Sequence, residues 1–209
     1  MVKNTIYIID VTNRDGVQTS RLGLAKLEKT ILNLYLDEMN VFQSEFGFPV
    51  TKHETNYLNA NLDLVEIGAM KHIRLGGWMR AMKEDVEEAF RLTPKLKHIN
   101  VSVSTSRQML DGKFSGKYTW ADIIAMMCEA VDAAWEHDAE SIGVNAEDAS
   151  RTELERLIEF AEAGKQHGAA RIRYCDTLGY DDPFTIYERV KAIAEAAAMP
   201  IELHCRNDL

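Results

Sequence analysis

Asp10-Val11-Thr12-Asn13-Arg14-Asp15-Gly16-Val17-Gln18 is the stretch with the densest chemical content. It follows a short apolar run over residues 5–9 and sets a permanent guanidinium between two carboxylates. Such an arrangement suits a reaction in which negative charge develops on an oxygen. A cation can stabilise that oxygen, and a carboxylate can hold a divalent ion beside it. The chain closes on a second cluster, His204-Cys205-Arg206-Asn207-Asp208-Leu209, with an imidazole, a thiol, a guanidinium, an amide and a carboxylate within six residues.

The elements that must position these groups read as strands alternating with helices. Apolar, β-rich runs predict strands over 5–9, 41–45, 72–76, 98–103, 141–145, 171–175 and 200–205. Leu24, Leu27, Ile31 and Leu34 recur at helical spacing, as do Leu58, Leu62, Val65 and Ala69. Further helices are expected over 84–92 and 120–137, with a polar loop over 104–117. Ser150 with Glu153 reads as a capping box, and Asp182-Pro183 as a helix start. Strand–helix alternation implies right-handed crossovers and a parallel sheet. No Gly-x-Gly-x-x-Gly fingerprint is present. Polar clusters instead follow the ends of five strands, the habit of a (β/α)8 TIM barrel. Seven βα units are legible and an eighth is missing, so 1–209 is expected to be a single barrel domain, incomplete at its C-terminal end.

Composition narrows the setting. With 209 residues and a formal charge of −9 the chain can bury one sizeable core, and it lacks the basic run a nucleic acid or an anionic membrane would require. No apolar stretch nears the ~20 residues of a membrane span. Three widely spaced cysteines, Cys128, Cys175 and Cys205, suit reduced thiols and a cytoplasmic location.

Taken in order, six segments resemble the homocitrate/2-isopropylmalate synthase family, metal-dependent barrels related to hydroxymethylglutaryl-CoA lyase. They are Asp10-x-Thr12-x-Arg14-Asp15-Gly16-x-Gln18, Glu45-Phe46-Gly47-Phe48-Pro49, Arg80-Ala81-Met82-Lys83-Glu84-Asp85, Glu147-Asp148-Ala149-Ser150-Arg151, Asp176-Thr177-Leu178-Gly179 and His204-x-x-Asn207-Asp208. The resemblance implies an acyltransferase that condenses acetyl-CoA with a 2-oxo acid at a divalent cation (Mg, Mn or Zn). Homocitrate synthase with 2-oxoglutarate is the closest impression. 2-Isopropylmalate or citramalate synthase, a reverse-running lyase, and a non-catalytic or split subunit are the alternatives. A homo-oligomer or a complementary subunit is expected, and the chain alone is expected to turn over little.

By motif position, Asp15 and His204 are metal ligands, Arg14 and Glu147 are catalytic, and Arg80, Thr177 and Glu45 bind substrate. Blander readings stand beside these. Asp15 can shape a turn, Arg14 can be an ion-pair partner, and Thr177 can stabilise a turn. Arg80 can be a solvated cation at a helix start. Glu45 can hydrogen-bond within the barrel mouth, and Glu147, Asp148 and Arg151 can form a salt-bridge cluster where a helix begins; for Glu45 and Glu147 the two readings weigh equally. His53, His72, His98, His137 and His167 have no motif context. A keto acid with a second carboxylate calls for a further cation, for which Arg80, Arg107 and Arg206 are candidates.

The last strand departs from the family pattern, which the resemblance gives as His-x-His with both imidazoles on metal. Residues 204 and 206 share a face by period-two alternation, yet position 206 is arginine. A guanidinium has no lone pair to donate and repels a cation, by about 4 kcal/mol per unit-charge pair at 4 Å and an effective dielectric of 20. Asn207, Asp208 or water can complete the shell, or Arg206 can clamp an anion instead. Arg206→His is expected to strengthen Mn2+ binding in a calorimetric titration; unchanged affinity would show that residue 206 does not stand at a ligand position.

Overall fold

The computed structural model describes residues 5–206, which form two compact units, residues 5–78 with 88–99 and residues 79–87 with 100–206. Asn207 and Asp208 lie outside the described residues. Among the described residues no helix is long and apolar enough to cross a membrane.

In the first unit, strand β1 (Ile9–Asp10) is followed by helix α1 (Lys26–Glu38), β2 (Gln43–Gly47), α2 (Lys52–Glu66) and β3 (Arg74–Arg80), whose last two residues belong to the second unit. β1, β2 and β3 pair in parallel, Ile9 opposite Gln43 and Ser44 opposite Leu75. The β2–β3 register slips between Glu45 and Gly47. Such a bulge bends a strand and re-aims side chains beside it. The strand expected over 5–9 is reduced to Ile9–Asp10, where pairing with β2 is confined to Gln43 and Ser44, and Ile6, Tyr7 and Ile8 are exposed.

Helix α1 corrects the expected apolar stripe. Leu27 and Ile31 are exposed, whereas Lys29, Asn33, Leu36 and Asp37 are buried. Polar contacts decide which way this helix faces. Asn33 Oδ1 accepts from Asn13 Nδ2 at 2.9 Å and from Ser44 Oγ at 2.9 Å. Its Nδ2 donates to Tyr57 Oη at 3.1 Å and to Asn61 Oδ1 at 3.0 Å. One amide thus ties the turn after β1 to β2 and α2. Buried polar groups are tolerated only when satisfied, and Asn33 fills all four of its hydrogen-bonding positions. Period-3.6 counting of apolar residues cannot see this face.

In the second unit the strands run in chain order, β4 (His98–Ser104, from Asn100 onward), β5 (Ser141–Glu147), β6 (Arg171–Asp176) and β7 (Ile201–Cys205). They alternate with α4 (Arg107–Asp111), α5 (Trp120–Glu136), α6 (Leu154–Gln166) and α7 (Pro183–Ala197); α3 (Lys83–Leu92) bridges the two units in sequence. The loop expected over 104–117 therefore holds a short helix, capped by Ser106 Oγ, which accepts from Met109 N–H at 3.2 Å. The Ser150 cap is not formed. Ser150 sits in a 3-10 turn, Ala149–Arg151, and α6 starts after Glu153. Asp182 does cap α7, accepting from Phe184 N–H at 2.8 Å and Thr185 N–H at 3.0 Å, with Pro183 at the first helical position.

Alternation sorts each strand of this unit into two faces. Ile142, Val144, Ala146, Ile172 and Tyr174 are buried on one face. There α6 approaches so closely that a Cβ on Gly164 would come within 3.0 Å of Val144 Cγ2. The other face is polar: Asn100, Ser102 and Ser104, then Asn145 and Glu147, then Arg171 and Arg173, then Glu202 and His204. Gly143 leaves room on it, since a Cβ there would lie 2.4 Å from Asn100 Oδ1 and 3.1 Å from Arg171 Cζ. Arg171 donates to Asn100 Oδ1 at 2.6 Å and pairs with Glu202 at 2.9 Å, and the buried Arg173 pairs with the same carboxylate.

Asp37 closes the link from α1 to β3. Its carboxylate accepts from the backbone N–H of Lys71, His72 and Ile73 at 3.0, 2.7 and 2.8 Å. Burial raises its pKa, but the three N–H donors together outweigh burial and hold it below the ordinary value of 3.8. A depressed carboxylate pKa stabilises the fold above the unfolded-state value, and this contribution fades as pH falls through the folded-state value. Asp37→Asn is expected to lower unfolding free energy by about 2 kcal/mol at pH 7, with the gap from wild type narrowing below pH ~4 in urea titrations. A gap independent of pH would contradict this.

Candidate functional site

The turn after β1 carries Arg14 and Asp15 on a frame set by its own backbone. Asp10 Oδ1 accepts from Thr12 N–H at 3.0 Å and its Oδ2 from Thr12 Oγ1 at 3.0 Å. The N–H groups of Arg14, Asp15 and Gly16 all point to Val11 O at 3.2, 2.8 and 3.1 Å. Asn13 drives its side chain inward to Asn33 and to Lys29 O at 3.0 Å. With Asn13 anchored, its neighbours Arg14 and Asp15 are presented together.

Arg14 Nε donates to Glu45 Oε2 at 2.7 Å, its Nη2 donates to the same oxygen, and its Nη1 donates to Asp15 Oδ1 at 3.1 Å. Its guanidinium also lies 4.9 Å from the centre of the Trp78 ring. The Glu45 side chain is 0% exposed. Within this unit Glu45 therefore orients Arg14, whichever further contact the pair makes. The three acidic and basic residues that the sequence singled out in this half come together as one linked group.

In the second unit the register builds another. Asn145 is opposite Arg173, Arg173 opposite Glu202, and Cys175 opposite His204. Glu147 stands at the C-terminal end of β5. Ser104 Oγ donates to Glu147 Oε2 at 2.8 Å, and Lys113 Nζ approaches the same oxygen at 3.1 Å and Ser104 Oγ at 3.0 Å. The next residue, Asp148, has φ 61°, a left-handed conformation that Asp tolerates better than most residues. Its N–H donates to Thr177 Oγ1 at 3.0 Å. Its carboxylate turns away to Ser106 and takes Arg151 Nε on both oxygens at 2.9 and 3.0 Å.

The cluster after β5 thus divides. Asp148 and Arg151 form the salt bridge expected of a helix start, while Glu147 points to Ser104 and Lys113. Thr177 is joined to Glu147 through the intervening N–H of Asp148. Arg80 is held by Asp85, Nε to Oδ2 at 2.7 Å and Nη2 to Oδ1 at 2.6 Å, and this pairing raises its pKa further above the reach of any physiological pH. His204 lies on the polar face of β7, and Arg206 N–H continues the ladder to Asp176 O at 3.2 Å. Lys113 and Ser104 were missed by sequence reading. Both are single residues without motif context, and only the β4–β5 pairing reveals them.

Asp15 in the first unit and His204 in the second each carry a donor type, a carboxylate and an imidazole, that Mg, Mn or Zn accept. Among the described residues no three His, Cys, Asp or Glu side chains gather as a metal-binding group.

The HMGL-like family profile matches residues 5–209. Over 204 residues the chain is 62% identical to citrate (Re)-synthase of Dehalococcoides mccartyi, covering 98% of this chain and 49% of that protein. It is 39% identical over 203 residues to 2-isopropylmalate synthase 2 of Caldanaerobacter subterraneus subsp. tengcongensis, covering 97% and 50%. The chain therefore spans about half the length of these relatives. The HMG-CoA lyase structure from Bacillus subtilis superposes with a TM-score of 0.76 at 18% identity, over 97% of this chain and 68% of that one. The fold is accordingly of the (β/α)8 type, in seven strands.

Removal of Glu45 should leave the Arg14 guanidinium without its buried counter-charge. Glu45→Ala is expected to lower unfolding free energy by about 3 kcal/mol in urea titrations; a loss under ~0.5 kcal/mol, the scale of exposed pairs, would show that the pair is not internal to the fold.

Proposed function

The chain belongs to the HMGL-like family, and on that premise we propose that it carries the acceptor side of a site that condenses acetyl-CoA with a 2-oxo acid. The observation that carries the reading is the 62% identity to citrate (Re)-synthase across 98% of the chain. Citrate, cut at the carbon–carbon bond that such a condensation makes, gives an acetyl unit and oxaloacetate. Oxaloacetate is therefore the proposed acceptor, ahead of the 2-oxoglutarate that the sequence alone favoured.

A base takes a methyl proton from acetyl-CoA, the enolate carbon attacks C2 of the oxo acid, and the keto oxygen becomes an alkoxide that takes up a proton to give the alcohol. Water then cleaves the thioester and releases CoA. Arg14 supplies the fixed positive charge that the developing alkoxide needs, and Glu45 keeps that guanidinium from rotating away. Thr177 offers a hydroxyl to the C1 carboxylate, positioned by the Asp148 N–H that it accepts. Glu147, the residue before the Asp148 that donates to this hydroxyl, moves a proton at its Oε atoms. A divalent cation on the Asp15 carboxylate would polarise the keto group as a Lewis acid, and His204 is the further ligand that the family resemblance implies.

An acceptor profile tests the reading. CoA release from acetyl-CoA is expected to be fastest with oxaloacetate, slower with 2-oxoglutarate and slowest with 2-oxoisovalerate. Preference for 2-oxoisovalerate would replace this assignment with that of an isopropylmalate synthase.

A further inference from the structure

Oxaloacetate differs from the simplest 2-oxo acids by a second carboxylate, and a buried carboxylate needs a cation. The sequence offered Arg80, Arg107 and Arg206 for that task. In the structure Arg80 has two of its nitrogens on the two oxygens of Asp85. Arg107 is 77% exposed and sits 3.5 Å from Asp111 on its own helix. Other arginines of the second unit are also engaged: Arg151 by both Asp148 oxygens, Arg171 and Arg173 by Glu202, and Arg189 by Tyr174 Oη and Ala149 O at 2.9 Å each. Such forked contacts are costly to break.

Lys113 differs in geometry and in place. It follows α4 in the β4–α5 connection, and its ammonium reaches back to the C-terminal ends of β4 and β5, 3.0 Å from Ser104 Oγ and 3.1 Å from Glu147 Oε2. Its third contact, to Glu147 Oε1, is long at 3.3 Å, so the third N–H of the ammonium can pass to a closer acceptor at little cost. The side chain is 45% exposed and open to an incoming ligand. Lys113 thus pairs with Glu147, whose chain neighbour Asp148 donates its N–H to Thr177, the group assigned to the C1 carboxylate.

We infer that Lys113 is the specificity-determining cation, pairing with the second carboxylate of the acceptor. The inference rests on the condensation proposed above and names the feature of its substrate that this site reads. An ammonium on a four-carbon stem can shift toward an incoming carboxylate while keeping Glu147 as a neighbour. A neutral side chain on the acceptor would leave Lys113 with Glu147 alone and gain nothing from it.

The test compares kcat/KM for oxaloacetate with that for 2-oxobutyrate in wild type, Lys113→Met, Lys113→Arg and Arg206→Met. Lys113→Met is expected to lower the oxaloacetate value by about 10- to 100-fold through KM, to leave 2-oxobutyrate nearly unchanged, and to be rescued largely by Lys113→Arg. Equal losses on both acceptors would make Lys113 a structural residue of its loop and overturn the inference. Retained selectivity in Lys113→Met, with loss in Arg206→Met, would overturn it in favour of Arg206 while leaving the condensation reading intact. A wild type that prefers 2-oxobutyrate would overturn both.

Discussion

Parallel strands in register lift like positions to like heights, and the second unit uses that constraint to build its polar face. Asn145, Arg173 and Glu202 occupy one level, and Cys175 and His204 the next. Alternation sends Ile142, Val144 and Ala146 to the helices and leaves Gly143, Asn145 and Glu147 facing the other way. A one-residue slip would exchange the two faces. The apolar burial on the helix side, about 2 kcal/mol for each large side chain, therefore holds Glu147 and His204 where chemistry can use them. Stability and function draw on the same register.

The first unit reaches its arrangement by a different route. Its turn after β1 is too short and too polar to hold itself by apolar packing, and it is fastened by Asn13 to the buried amide of Asn33. That amide also fixes α1 against β2 and α2. Arg14 and Asp15 follow the anchor, so the residues proposed to act on an oxyanion are held in place because their neighbour is buried. Low dielectric makes such a network strong when complete and costly when any member is lost.

Much of this was legible in the chain itself. Seven strands and the crossover pattern follow from apolar runs separated by helical periodicity, and Asp182-Pro183 starts α7 as its residue types require. Arg14 and Asp15 stood out as a cation beside a possible metal ligand, and Glu45 by its place in a motif segment of the family. What the sequence hid were the contacts that override periodicity. Helix α1 turns Leu27 and Ile31 outward because Asn33 and Asp37 have partners inside, and pattern counting assigns the face by hydrophobicity alone. Ser150 matches the spacing of a capping box, yet the left-handed Asp148 sends the chain through a 3-10 turn before α6 begins. Lys113 escaped notice because its meaning depends on which strand lies beside β4.

The proposal at the centre of this reading is that Asp15 holds a divalent cation for a 2-oxo acid whose oxyanion Arg14 stabilises. Anomalous scattering from crystals of the protein soaked with Mn2+ and oxaloacetate tests it most directly. The expected result is a manganese peak about 2.2 Å from an Asp15 carboxylate oxygen, with the oxo acid beside Arg14. A peak remote from Asp15, or an oxo acid bound away from Arg14, would contradict it.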